Sequence, residues 1–185
     1  YLSVKNVHNE IDALVDYYGP DIFLYFDDDT FNFLEDRTLE IGEGIAKYNL
    51  EWSAMCRIDT LSKEAWTELH KMGLHYINIG IESANPELLK TVGKKLDIVK
   101  AEEMIVHLKN LGMHIHGTFT YGIPGETPED QQRTKEFFER THLDSKQESQ
   151  CMPLPGTIWY NSLSDEEKNI DFDGYKNRKE SILEK

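Results

Sequence analysis

The tightest constraint in this chain is the strict alternation of Tyr76-Ile77-Asn78-Ile79-Gly80-Ile81-Glu82, repeated in looser form at His114-Ile115-His116-Gly117-Thr118-Phe119-Thr120-Tyr121. Successive side chains of a strand point to opposite faces. The first segment therefore presents Ile77, Ile79 and Ile81 on one face and Tyr76, Asn78, Gly80 and Glu82 on the other. In the second, Ile115, Phe119 and Tyr121 oppose His114, His116, Thr118 and Thr120. An open parallel sheet covered on both faces is apolar on both. Here one face is polar and small, which fits the interior of a barrel, or part of one, that holds a polar ligand.

The segments around these strands follow one plan. Residues 3–18 set Val4, Val7, Ile11, Leu14, Val15 and Tyr18 on one helical face, with Ser3 as the cap and Gly19-Pro20 as the stop. Strands are expected near 22–27, 51–56, 75–81, 114–121 and 146–151, each following a helix. Ser62 caps a helix over 62–72 with Leu61 and Trp66 as its staple, Asn85-Pro86 starts another, Asp97 a third and Thr127-Pro128 the last clear one. Short strands alternating with helices predict an α/β fold with parallel pairing and right-handed crossovers. The reading is a partial (β/α) barrel over residues 1–157 and a less regular extension over 158–185, with a helix possible after Ser164.

Composition narrows the partners. A net charge of −14 opposes a phosphate-tracking surface, so nucleic acid is not an expected partner. The longest apolar run, Ile22 to Phe26, is far too short to cross a bilayer, and no basic-then-apolar signal opens the chain. A cytoplasmic location is expected. The two cysteines, Cys56 and Cys151, lie far apart and belong to no short metal-binding spacing. Cys56 has the parity of the helix-facing side and reads as a small buried hydrophobe.

Chemistry in such folds sits at the carboxyl ends of the strands. Those ends read Asp27-Asp28-Asp29-Thr30-Phe31, Arg57-Ile58-Asp59, Gly80-Ile81-Glu82-Ser83, Gly122-Ile123-Pro124-Gly125-Glu126-Thr127 and Pro153-Leu154-Pro155-Gly156-Thr157. In this order they resemble radical S-adenosylmethionine (radical SAM) enzymes, in particular the cobalamin-associated branch of anaerobic porphyrin-ring cyclases and radical methyltransferases. The resemblance runs from about Val4 to Thr157. It implies a six-stranded partial barrel in which a 4Fe–4S cluster, fed by an electron donor, reductively cleaves S-adenosylmethionine. The products are methionine and a 5′-deoxyadenosyl radical that acts on a small-molecule substrate.

By resemblance, Asp28 and Asp29 receive the methionine amino group, a role that suits a carboxylate facing an ammonium; an acidic loop start or helix cap is their other use. Arg57 takes the place of a contact to the nucleoside and the methionine carboxylate, matched to a guanidinium fork. An ion pair with Asp59 or Asp36 is its alternative. Glu82 corresponds to the residue that bonds the ribose hydroxyls, against a helix-cap acid before Asn85. Lys94 matches a basic position, and Thr118 a polar one near the ribose or the methionine carboxylate. In the turn Gly122-Ile123-Pro124-Gly125, the glycines allow close backbone approach, and Ile123 with Pro124 offers an apolar ledge to a purine. His114 and His116 lack a third ligand, so metal binding is disfavoured. Both line the polar face, with His116 as a candidate substrate contact.

The family's Cys-x3-Cys-x2-Cys loop is absent, and without three thiolates a cluster has no sufficient ligand set. In relatives the helix resembling residues 3–18 follows that loop, so the expectation is an enzyme truncated after its cluster loop and inert alone. A missing first strand leaves a sheet edge open to self-association. A non-catalytic nucleoside-binding scaffold is one alternative. A barrel enzyme holding a divalent metal on Asp28, Asp29 and Glu82 is another. No residue in these segments identifies the substrate or shows whether cobalamin is used.

Overall fold

The computed structural model describes residues 2–168, in two compact units, Tyr1–Gln150 and Cys151–Lys185. The first unit runs α1 (Val4–Tyr18), β1 (Leu24–Phe26), α2 (Glu35–Ala46), β2 (Trp52–Cys56), α3 (Lys63–Lys71), β3 (Leu74–Glu82), α4 (Pro86–Thr91), α5 (Ile98–Asn110), β4 (His114–Tyr121), α6 (Pro128–Thr141) and β5 (Ser145–Gln150). The five strands form one sheet in sequence order, and every pairing is parallel. The expected α/β class and its open, barrel-like sheet are both present. The second unit holds α7 (Ile158–Ser162), whose cap Thr157 accepts from the Tyr160 amide. At Ser164 a single turn forms, closed by Lys168 N–H to the Ser164 carbonyl. The helix foreseen beyond it lies outside the described residues.

The helices make one layer. α1 packs on α2, α2 on α3, α3 on α5 and α5 on α6, while α3 and α5 also meet β3 and β4. Their shared core is apolar: Ile77, Ile79 and Ile81 of β3 and Ile115 and Phe119 of β4 are buried against it, with Trp52, Trp66 and Phe137. The opposite face carries the polar set. Tyr76 is 41% exposed, while Asn78, Gly80, Glu82, His116, Thr118 and Thr120 are half-buried. Strand parity thus assigned both faces correctly.

One local feature departs from the pattern. The apolar face of α1 is narrower than expected: Val7 and Ile11 are buried and Val4 and Val15 pack against the core, whereas Leu14 and Tyr18 are exposed. α2, the helix expected ahead of the 51–56 strand, forms with Gly42 and Gly44 inside it. Gly44 leaves room there for the His8 side chain. A Cβ at this position would meet His8 Nε2 of α1 at 2.1 Å, and the same imidazole bonds the Glu40 carbonyl at 3.1 Å.

The loop after β1 is fixed at its far end. Phe31 donates its N–H to the Met55 carbonyl at 2.8 Å and stacks near Phe26 and Trp52. Fully buried Asn32 bridges the backbone of Arg57: Nδ2 donates to Arg57 O at 2.7 Å, and Oδ1 accepts Arg57 N–H at 2.8 Å. Replacing Asn32 with Ala strands two buried backbone groups. The expected cost is about 2 kcal/mol, read as a lower urea midpoint with unchanged m value.

Candidate functional site

Because all five strands run the same way, their carboxyl ends form one rim. The most organised part lies where β3 meets β4. Gly80 pairs with Thr118, but the register then shifts so that Glu82 pairs with Phe119. The extra residue is a bulge, a device that re-aims a side chain at a sheet rim. Glu82 takes φ 68° at the centre of a three-residue turn closed by Ser83 N–H to the Ile81 carbonyl at 3.0 Å. Such a turn in a non-glycine residue is strained.

The Glu82 carboxylate is held on both oxygens. Lys94 Nζ donates to Oε1 at 3.2 Å and to the Gly80 carbonyl at 2.8 Å. Thr120 Oγ1 donates to Oε2 at 2.6 Å. Gly80 makes room for this pair, since a Cβ there would lie 2.6 Å from Lys94 Nζ, 2.7 Å from Glu82 Oε1 and 3.6 Å from Thr118 Oγ1. Glu82, Lys94 and Thr118 are therefore brought together on the polar face. Thr120 joins them, although sequence alone gave it no role beyond its parity.

The loops behind this cluster are tied to one another. Asn85 Nδ2 donates to Asp130 Oδ1 at 2.7 Å, and Ala84 N–H donates to buried Thr134 Oγ1 at 3.1 Å, so the turn after β3 is fastened to the start of α6. Asp130 also closes a capping box with Thr127. Those Thr127 bonds, helped by Asn85 and Arg133, hold the Asp130 carboxyl below the usual carboxylate range. Gly122 (φ 76°) and Gly125 (φ 88°) shape the turn after β4. Glu126 clasps it, its Oε2 accepting from Gly122 N–H at 2.6 Å and Gln131 Nε2 at 3.0 Å. The other oxygen, Oε1, is buried with no partner. Ile123 is buried and Pro124 exposed. The [ST]-x-x-[DE] spacing of Thr127 and Asp130 signals the cap, but no local pattern announces the clasp of Glu126.

The remaining expected residues sit apart from this cluster. Arg57 is engaged by Asp59 through Nε at 3.0 Å and NH2 at 2.7 Å, which is the ion-pair alternative and raises its pKa. Asp28 is exposed and lines a cavity of about 140 Å³ with Glu10, Phe26, Phe31, Phe33 and Arg37, beside α1 and α2. Asp29 is exposed, and its carbonyl accepts from Thr30 Oγ1 at 2.8 Å. Among the described residues no group of three or more His, Cys, Asp or Glu is arranged to hold a metal ion. The divalent-metal alternative built on Asp28, Asp29 and Glu82 therefore lacks its ligand set, and the donors present do not fit an iron–sulfur cluster either. Cys56 is buried, which pushes its thiol pKa up and away from thiolate chemistry. No helix among the described residues is long and apolar enough to cross a membrane.

The chain is similar to known proteins over most of its length. The model of the radical SAM superfamily matches residues 1–138. An uncharacterized methyltransferase of Pyrococcus horikoshii is 31% identical over 160 residues, covering 85% of this chain and 35% of the relative. The bacteriochlorophyllide d C-12(1)-methyltransferase of Chlorobaculum tepidum is 30% identical over 154 residues, covering 81% and 33%. The chain thus spans about a third of the length of these curated relatives. A solved radical S-adenosylmethionine methyltransferase from Kitasatospora setae, with cobalamin and a 4Fe–4S cluster bound, shares the fold. Its TM-score is 0.72 at 18% identity, covering 82% of this chain and 29% of that one.

Lower on the same face, His116 Nδ1 and Ser145 Oγ lie 2.8 Å apart. Burial, with His114 adding a like charge, lowers the His116 pKa below the ordinary value of 6.5. A proton is then bound more weakly folded than unfolded, so the contribution to stability is complete above about pH 6.5. It declines as acid is added through that value toward the lower folded one. Proton NMR titration should place the His116 midpoint below that of a denatured-state reference, and His116→Gln should flatten this part of the stability–pH curve. A midpoint at or above the reference would contradict the assignment.

Proposed function

The chain belongs to the radical SAM superfamily, and on that premise we propose that it is the part of a radical SAM enzyme that cradles the adenosyl moiety of S-adenosylmethionine. The observation that carries this reading is the Glu82 carboxylate, oriented by Lys94 and Thr120 over a glycine that no other residue can replace without displacing them. Glu82 accepts from the ribose hydroxyls. Thr118 lies beside it, and the purine rests on the turn Gly122-Ile123-Pro124, whose glycine lets the backbone come close. Lys94 keeps the carboxylate in place while its positive charge offsets the negative charge gathered there. Asp28 and Asp29, at the end of β1, receive the methionine ammonium. Arg57 reaches the methionine carboxylate by exchanging its partner Asp59, an exposed pair of small net worth. His116, deeper on the polar face, meets the substrate.

S-adenosylmethionine supplies, on one-electron reduction, a carbon-centred radical able to abstract hydrogen. The chain's own residues bind and orient the nucleoside for that chemistry. The cluster that delivers the electron is not held by the described residues, so the whole protein's reaction draws on ligands beyond them and on a cytoplasmic electron donor. Methyl transfer to a small molecule, with cobalamin as a possible second cofactor, is the reaction class favoured by the two methyltransferase relatives and by the cobalamin-bound fold neighbour. The outer edge of β1, which among the described residues pairs only with β2, is a surface for self-association or for another strand.

Isothermal titration of the chain with S-adenosylmethionine tests the reading without any cluster. Saturable one-site binding is expected, weakened about tenfold or more by Glu82→Ala, which removes a charged acceptor. Binding of Mg2+ instead, lost in the same variant, would favour a metal-dependent barrel and overturn the proposal.

A further inference from the structure

Thr120 stands out because its hydroxyl is committed to the Glu82 carboxylate rather than to its own strand. A carboxylate has about four acceptor positions. Lys94 occupies one on Oε1 and Thr120 one on Oε2, at 3.2 and 2.6 Å. Two remain, one on each oxygen, which is the number that a pair of vicinal hydroxyls consumes. Lys94 alone fixes only one oxygen and leaves the carboxyl plane free to rotate about it. The second anchor comes from the neighbouring strand, where the bulge carries Glu82 level with Phe119 and so next to Thr120 on the polar face. A β-branched side chain in a strand is stiff at its first torsion, so Thr120 makes a better rotational stop than a flexible donor would.

We infer that Thr120 is a positioning residue for the nucleoside: it sets the plane of the Glu82 carboxylate so that both free acceptor positions meet the 2′- and 3′-hydroxyls of one ribose. The inference rests on the assignment of Glu82 to the ribose. Its consequence is specificity, since only ligands with the intact cis-diol benefit from the hydroxyl of Thr120.

The test compares wild type, Thr120→Val and Thr120→Ser by titration with S-adenosylhomocysteine and with its 2′,3′-dideoxy counterpart. Thr120→Val should weaken the ribose-bearing ligand about tenfold, Thr120→Ser by much less, and the dideoxy ligand should bind all three proteins alike. Equal losses on both ligands would mean a merely structural role and overturn the inference, as would no loss at all. Glu82→Ala separates the two levels: if it weakens the ribose ligand while Thr120→Val does not, only the role of Thr120 fails. If Glu82→Ala changes nothing, the ribose assignment fails and takes this inference with it. Ligand-free crystal structures give a readout that needs no binding. The Glu82 carboxylate should be rotated in Thr120→Val and restored in Thr120→Ser, and an unmoved carboxylate in the valine variant would overturn the inference.

Discussion

Burial of Ile77, Ile79 and Ile81 against the helical layer is the constraint on which the rest of the molecule depends. All three are nearly inaccessible to solvent, and each contributes about 1.5–3 kcal/mol by leaving water. A slip of β3 by one residue would exchange these side chains for Asn78, Gly80 and Glu82, so the register is strongly fixed. The strain at Glu82, about 1–3 kcal/mol for a non-glycine residue in a rare backbone conformation, is smaller than the isoleucine burial that surrounds it. The sheet therefore holds a strained backbone turn at its rim, and that turn carries the Glu82 carboxylate.

Around this carboxylate the rim is pre-organised by hydrogen bonds between loops. The turn after β3 is fastened to α6 through Asn85–Asp130 and Ala84–Thr134, and the turn after β4 is clasped by Glu126. Glu82 and the Gly122 turn are consequently referred to one helix terminus and share one frame. The β1 and β2 ends are held differently, by Asn32 and Phe31 on the backbone of β2. Asp28 and Asp29 protrude from that support as an exposed bend, and Arg57 rests on Asp59. The β3–β4 part of the rim is thus tied by hydrogen bonds between its turns and α6, whereas the charged groups at the β1 and β2 ends are exposed or paired with a near neighbour.

Much of this was legible in the residues. Period-two alternation assigned the two faces of β3 and β4, and capping residues Ser3, Ser62, Asn85, Asp97 and Thr127 marked helix starts that the structure reproduces. The place of Glu82 on the polar face at a strand end was legible because its parity and its position agree. What escaped was non-local. The grip of Thr120 on Glu82 needs the bulge, which shifts register without any signal in β3 itself. The tie from Asn85 to Asp130 joins the turn after β3 to the first turn of α6, and the space left at Gly42 and Gly44 is set by side chains of other elements. At Arg57 the resemblance suggested a ligand contact and an ion pair with Asp59 or Asp36 was the alternative; the structure forms the pair with Asp59.

A crystal structure of the chain with S-adenosylhomocysteine bound is the most direct measurement. Ribose hydroxyls within hydrogen-bond reach of both Glu82 oxygens, with the purine against Ile123 and Pro124, is the expected result. A nucleoside lodged beside Asp28 and Arg37, or one whose ribose points away from Glu82, would contradict it.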